Sequence, residues 1–144
     1  MTPTPPPHVS PTTPAFAYAV LAVGDLAVFV LFNIMGRADH EASITAFTVA
    51  KGVAPFAVAW FAVSPWIGTY RHATFTSFRR TWQDVLPAWV LCGALALLLR
   101  MWWYDRPFIA TFAAISLSFQ AGLLMAWRMA FLAVSLRSRS HAAP

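Results

Sequence analysis

Four long apolar stretches alternate with short polar links along the chain. They cover about 15–35, 49–68, 85–103 and 108–135, and each is near the length of helix that crosses a bilayer core, roughly 20 residues. The fourth is long enough to tilt or to emerge at its end. None alternates apolar with polar residues, which disfavours a closed β-barrel, the other way to satisfy a backbone in lipid. Short links make consecutive helices antiparallel neighbours. The pattern therefore predicts an all-α integral membrane protein, a four-helix up-down-up-down bundle over 15–135.

The flanks and links carry further expectations. Residues 1–14 (MTPTPPPHVSPTTP) hold six prolines and no lysine or arginine, which predicts a disordered cytoplasmic tail. With no basic start and no small-residue cleavage site after it, the first apolar run reads as a retained helix, not a signal peptide. Residues 136–144 read as a short basic tail. In the 36–48 link, Asp39 or Ser43 is the expected N-cap of the second helix. The 69–84 link (TYRHATFTSFRRTWQD) is basic and aromatic, with spacing that suits an interfacial turn placing Phe75, Phe78 and Trp82 toward lipid. YDRP at 104–107 predicts a tight hairpin, and Pro55 and Pro65 should bend or locally open the second helix.

Composition sharpens the membrane reading. Of 144 residues, 59% are hydrophobic and 10% charged, against about a quarter charged in soluble domains; the mean hydropathy is +0.61. Trp60, Trp66, Trp82, Trp89, Trp102, Trp103 and Trp127 read as interface anchors and packing. The net charge of +5 comes from basic residues scattered between apolar runs, with no patch or stripe, so nucleic acid is a poor partner. Arg71, Arg79, Arg80, Arg128, Arg137 and Arg139 fall on the side of the termini, against Arg37, Lys51, Arg100 and Arg106 on the other. The positive-inside rule then places both termini in the cytoplasm. Cys92 is a lone thiol inside an apolar run and reads as a small buried side chain.

The polar residues that a bilayer makes expensive are the candidate sites. Asp25 lies near the midpoint of the first helix, where a charge costs at least about 2.5–3.5 kcal/mol on insertion scales. Tyr18, Asp25, Asn33 and Gly36 share one broad face, and Gly24 beside Asp25 would let another helix approach. Asp25 is read first as a hydrogen-bonded fastener between helices, and second as a proton-titrating or ligand-binding carboxyl. In the fourth helix Ser116, Gln120, Leu124 and Arg128 recur every four residues. Gln120 is the expected partner of Asp25 at matching depth, with Arg128 reaching toward the interface and a direct Asp25–Arg128 pair less natural. On the other side, Arg37, His40, Arg100 and Arg106 are candidates for an anion or lipid head group, since guanidinium forks suit phosphate and carboxylate. Asp39, His40 and Glu41 are adjacent and diverge, which argues against a metal site.

No phosphate-cradling loop, no HExxH and no nucleophile with its base is present, so an enzyme is not supported. His8, His40, His72 and His141 all lie in tails or links, leaving no histidine pair for a haem inside the helices. No cofactor of the chain's own is expected; bound lipid, or a pigment or quinone contributed by a partner complex, is compatible.

Several short motifs together resemble the DUF3054 family of prokaryotic membrane proteins. They are Gly24-Asp25, Gly36-Arg37 followed by His40, Pro55-Phe56, Gly93 with Arg100 closing the third helix, and Trp127-Arg128. The resemblance runs from about 21 to 128; the proline-rich tail and the basic 69–84 link depart from it. It implies a small four-helix, multi-pass protein of prokaryotic cytoplasmic (inner) membranes, and implies no activity. The expected role is an accessory or interaction subunit of a larger membrane complex. The alternative is a small-molecule or proton-coupled transporter working as a homo-oligomer through Asp25.

Overall fold

The computed structural model describes residues 14–40, 42–105 and 107–141. The proline-rich tail before Pro14, Glu41, Arg106 and the last three residues lie outside the described residues. Four helices follow one another: α1 (Pro14–Asp39), α2 (Ala46–Ile67), α3 (Phe78–Tyr104) and α4 (Ala110–His141). A single 3₁₀ turn, His72–Phe75, interrupts the link between α2 and α3. All four helices are long and apolar enough to cross a membrane, and no strand occurs among the described residues. Consecutive helices pack together and α4 closes onto α1, so the bundle is a ring in chain order, with α2 against α3 the most extensive contact.

The helices outrun the apolar stretches because local hydrogen bonding, not hydropathy, ends them. α2 begins at a capping box: the Thr45 side chain accepts from the Thr48 N–H, and the Thr48 hydroxyl accepts from the Thr45 N–H. The expectation of Asp39 or Ser43 as that cap is thus corrected. Asp39 is the last residue of α1, and Ser43 uses its carbonyl to accept from Arg37 Nε at 2.9 Å and from the Thr48 hydroxyl at 3.0 Å. α2 ends at Gly68, whose left-handed φ of 99° turns the chain while its N–H returns to Ser64 and Pro65. α3 takes in half of the 69–84 link by starting at Phe78, with Phe78 and Trp82 exposed along it; the Phe75 side chain lies outside the described residues. It closes at Asp105, in the left-handed region at φ 46°. α4 runs through most of the segment read as a basic tail.

Pro55 sits inside α2 and cannot donate to the Lys51 carbonyl one turn before it. The Tyr104 hydroxyl, from the end of α3, donates to that carbonyl at 2.9 Å. The proline therefore becomes a tie between α2 and α3.

The core is aromatic. Trp89 lies against Phe29 (5.6 Å between ring centroids), Trp60 (6.0 Å) and Phe56 (6.3 Å), and its indole N–H donates to the Leu117 carbonyl of α4 at 3.0 Å. Trp60 and Trp89 are therefore core residues, buried to 0% and 2% exposure, and not interface anchors. Trp66, 86% exposed, and Trp102 do face outward, as interfacial indoles do. In lipid this close packing, more than hydrophobic transfer, holds helices together.

Candidate functional site

Two polar constellations occupy opposite halves of the bundle. The first is built on Asp25. The residue is fully buried, and both carboxylate oxygens are occupied. Arg128 approaches side-on, Nε donating to Oδ1 at 2.9 Å and Nη2 donating to Oδ2. Trp60 Nε1 donates to Oδ2 at 3.0 Å and the Tyr70 hydroxyl to the same oxygen at 2.6 Å. Arg128, itself 2% exposed, spends its remaining Nη1 on the Thr69 carbonyl at 2.8 Å. Its guanidinium carbon lies 4.7 Å from the Tyr70 ring centroid and 5.9 Å from that of Trp60, cation–π distances in a desolvated setting.

The Asp25–Arg128 pair overturns the expected Asp25–Gln120 partnership, and helix direction explains why. At about 1.5 Å rise per residue, Asp25 is about 21 Å from the Asp39 end of α1; Gln120 and Arg128 are about 15 and 27 Å from the Ala110 end of α4. Depth alone does not choose between them. Each Cα–Cβ bond tilts toward its own helix N-terminus. In antiparallel helices the Asp25 and Arg128 side chains therefore lean toward one another, while Gln120 leans away. Gln120 is buried at 1% exposure, and its Oε1 has no hydrogen-bond partner among the described residues. Nor does Arg128 reach the interface by snorkelling. The α4 stripe of Ser116, Gln120, Leu124 and Arg128 is buried along its whole length.

Sequence reasoning missed Trp60, Thr69 and Tyr70. Trp60 belongs to the buried face of α2 with Val53, Phe56 and Ser64, at helical spacing, and that periodicity was its only signal. Thr69 and Tyr70 reach the pair because the link folds back under the bundle. Thr69 bonds to the Ser64 carbonyl through N–H and hydroxyl; Thr74 donates to the Gly68 carbonyl at 3.3 Å; Thr81 donates to the Thr74 carbonyl at 2.8 Å. A long tertiary fold of this kind leaves no local pattern.

Tyr70, in the link, has its hydroxyl pKa pushed up, first by burial and then by the adjacent Asp25 charge, with Arg128 opposing. A folded-state value above the unfolded one stabilises the fold fully below pH about 10 and loses that contribution as pH rises through the folded value. The phenolate absorbance of Tyr70, read as the difference between wild type and Tyr70→Phe in micelles at pH of about 10–11, should thus be smaller than the same difference in the unfolded chain. An equal difference in the folded and unfolded protein, with the fold intact, would contradict the arrangement.

The second constellation lies at the distal end, away from the chain termini. Arg37 of α1, Gly52 of α2 and Arg100 of α3 border two adjoining cavities. One, of about 330 Å³, is also lined by Thr48, Lys51 and Tyr104; the other, of about 510 Å³, passes Asp39 and His40 to reach Asn33 and Ser116. Asn33 packs against Gly52, where an added Cβ would meet its amide at 2.0 Å, and its buried Oδ1 has no hydrogen-bond partner among the described residues. Arg100 stacks over Phe112 at 4.4 Å and Lys51 over Tyr104 at 4.8 Å. The structure thus brings Arg37, His40 and Arg100 together and adds Lys51; Arg106 lies outside the described residues.

A family model described as "Protein of unknown function (DUF3054)" matches residues 22–131, a span that takes in both constellations. No curated protein and no solved structure matches the chain.

Proposed function

The chain belongs to the DUF3054 family, and from that premise and the site's geometry we propose that it serves as an accessory or interaction subunit of a larger membrane complex. The observation carrying this reading is the saturation of Asp25. Its two oxygens take four donors from α2, α4 and the 69–77 link, with no exposure. A carboxyl that carries protons must lose its partners and meet water in every cycle. Separating a buried pair by removing one partner costs about 3–5 kcal/mol. A pair held this way fastens helices and supports a rigid part that others assemble on. The apolar side chains exposed on every helix suit contact with lipid and with partner helices. The family resemblance supports a prokaryotic cytoplasmic membrane, and the distribution of arginines supports cytoplasmic termini.

Gentle extraction of the tagged protein from its native membrane, followed by native electrophoresis and mass spectrometry, tests the reading. A stoichiometric membrane partner is expected; migration of the protein alone would overturn it. The carrier reading, as a homo-oligomer working through Asp25, keeps one observation in its favour. Thr69 and Tyr70 come from a link and not a helix, so displacing that link would uncover the pair. Transport abolished by Asp25→Asn in vesicles, with the protein still folded, would favour the carrier.

A further inference from the structure

We propose that the α2–α3 link and the first turns of α3 form a docking face for an anionic lipid leaflet. Arg71, Arg79 and Arg80 are apart in sequence, but the link folds them onto one end of the bundle. The Thr74 N–H donates to the Arg71 carbonyl at 2.9 Å, and the Thr81 hydroxyl donates to the Thr74 carbonyl at 2.8 Å. One hydrogen-bonded turn thus ties the segment carrying Arg71 to the start of α3. All three arginines are exposed, as are Phe78 and Trp82. Phe78 and Trp82 are four apart and share a helix face, with Arg79 beside it. α3 has 27 residues, a length of about 40 Å against a hydrocarbon core of about 30 Å. The polar run FRRTWQD at 78–84 puts the excess at this end, in the head-group layer.

The chain has little to answer this charge. Of its five acidic residues, Asp39 and Asp105 stand at the other end, Glu41 falls between α1 and α2 in the sequence, and Asp25 is held by Arg128. Asp84 remains, one turn beyond Arg80, with its Oδ2 3.4 Å from the Thr74 hydroxyl. The residues before Pro14 and after His141 include no Asp or Glu. No ion pair or side-chain hydrogen bond engages Arg71, Arg79 or Arg80 among the described residues. Helix ends account only for Arg71, whose side chain lies across Gly68, the C-cap of α2; a Cβ there would meet its Nε at 2.6 Å. Arg79 and Arg80 stand in the first turn of α3, a positive helix end where cations are disfavoured. Two arginines set against the helix field call for negative charge from outside the protein. Their aromatic neighbours select lipid over an acidic soluble partner, since large apolar rings beside basic heads are the make-up of interfacial segments.

The test is lipid retention by native mass spectrometry, with the protein titrated in micelles against phosphatidylglycerol and phosphatidylcholine of equal chain length. Wild type should prefer phosphatidylglycerol by about tenfold or more, since one basic residue beside an anionic surface contributes about fivefold. The double variant Arg79→Gln/Arg80→Gln should lose most of that preference, and Arg71→Gln/Arg79→Gln/Arg80→Gln all of it. Arg79→Lys/Arg80→Lys should keep it, because a leaflet reads charge and not the guanidinium fork. A loss in the lysine pair equal to that in the glutamine pair would mark a merely structural effect and overturn the proposal. Lys51→Gln, exposed at the opposite end, should also keep the preference. Equal retention of both lipids by wild type would overturn the face and turn its arginines toward an acidic protein segment instead. A triple variant that prefers phosphatidylglycerol as strongly as wild type would overturn it too.

Discussion

Arg128→Gln is expected to destabilise the bundle by about 3–5 kcal/mol, because it leaves the Asp25 carboxylate buried with no counter-charge. Trp60 and Tyr70 would remain as neutral donors to one oxygen, while Oδ1 would lose its donor, Arg128 Nε. Arg128→Lys should recover only part of the loss. A point-like ammonium cannot make the side-on pair of bonds and also reach the Thr69 carbonyl. Asp25→Asn should be destabilising in the opposite sense, leaving a buried guanidinium facing a neutral amide. The double variant Asp25→Asn/Arg128→Gln should be more stable than Arg128→Gln alone, since no uncompensated charge remains. Detergent-induced unfolding in mixed micelles, followed by tryptophan fluorescence, gives all four values. An Arg128→Gln protein within about 1 kcal/mol of wild type would show that the pair is not closed off as the geometry requires, the loss then being that of an ordinary interhelical hydrogen bond.

The legible part of this fold was what the bilayer dictates. Four apolar runs of spanning length and their short links were sufficient for a four-helix bundle, because the backbone has no other solution there without strand alternation. The expense of charge in lipid likewise singled out Asp25 as a residue turned into the bundle and Arg128 as a polar candidate, although Arg128 was expected to reach toward the interface and is buried. Their pairing was hidden by an argument from depth alone, when the lean of side chains along antiparallel helices decides it. Tyr70 and Thr69 were hidden for a different reason. They sit in a basic, aromatic link that reads as an interfacial segment, and only the left-handed turn at Gly68 and the threonine ties beyond it bring that link under Asp25. At the distal end, Arg37, His40 and Arg100 were recognisable as charges on one side of the membrane. Lys51 was counted on that side too, but not as part of the site, because Pro55 and Tyr104, which define its place, lie on different helices.

Gly24→Ala is the second substitution expected to have a large effect, and it tests whether the Asp25 pair depends on how closely α4 approaches α1. An added Cβ at Gly24 would lie 1.9 Å from Cζ2 and 2.0 Å from Cε2 of Trp127. Those atoms belong to a rigid ring, so the whole indole or α4 itself must move. Alanine is favoured over glycine inside a helix by about 1 kcal/mol, which works against the clash. Overpacking of this kind costs about 1–3 kcal/mol, and a contact this short belongs at the upper end, so net destabilisation is expected. The effect should spread, because Gly24 and Trp127 immediately precede Asp25 and Arg128. Moving α4 outward to relieve the ring lengthens the side-on pair as well. Trp127→Leu should therefore rescue Gly24→Ala beyond additivity, the signature of residues in direct contact. Thermal unfolding of the two single variants and the double in the same micelles measures this coupling. A neutral Gly24→Ala, or a strictly additive double, would mean that the indole swings clear into the apolar groove between α1 and α4, and that the ion pair is held by its own hydrogen bonds without help from the helix contact beside it.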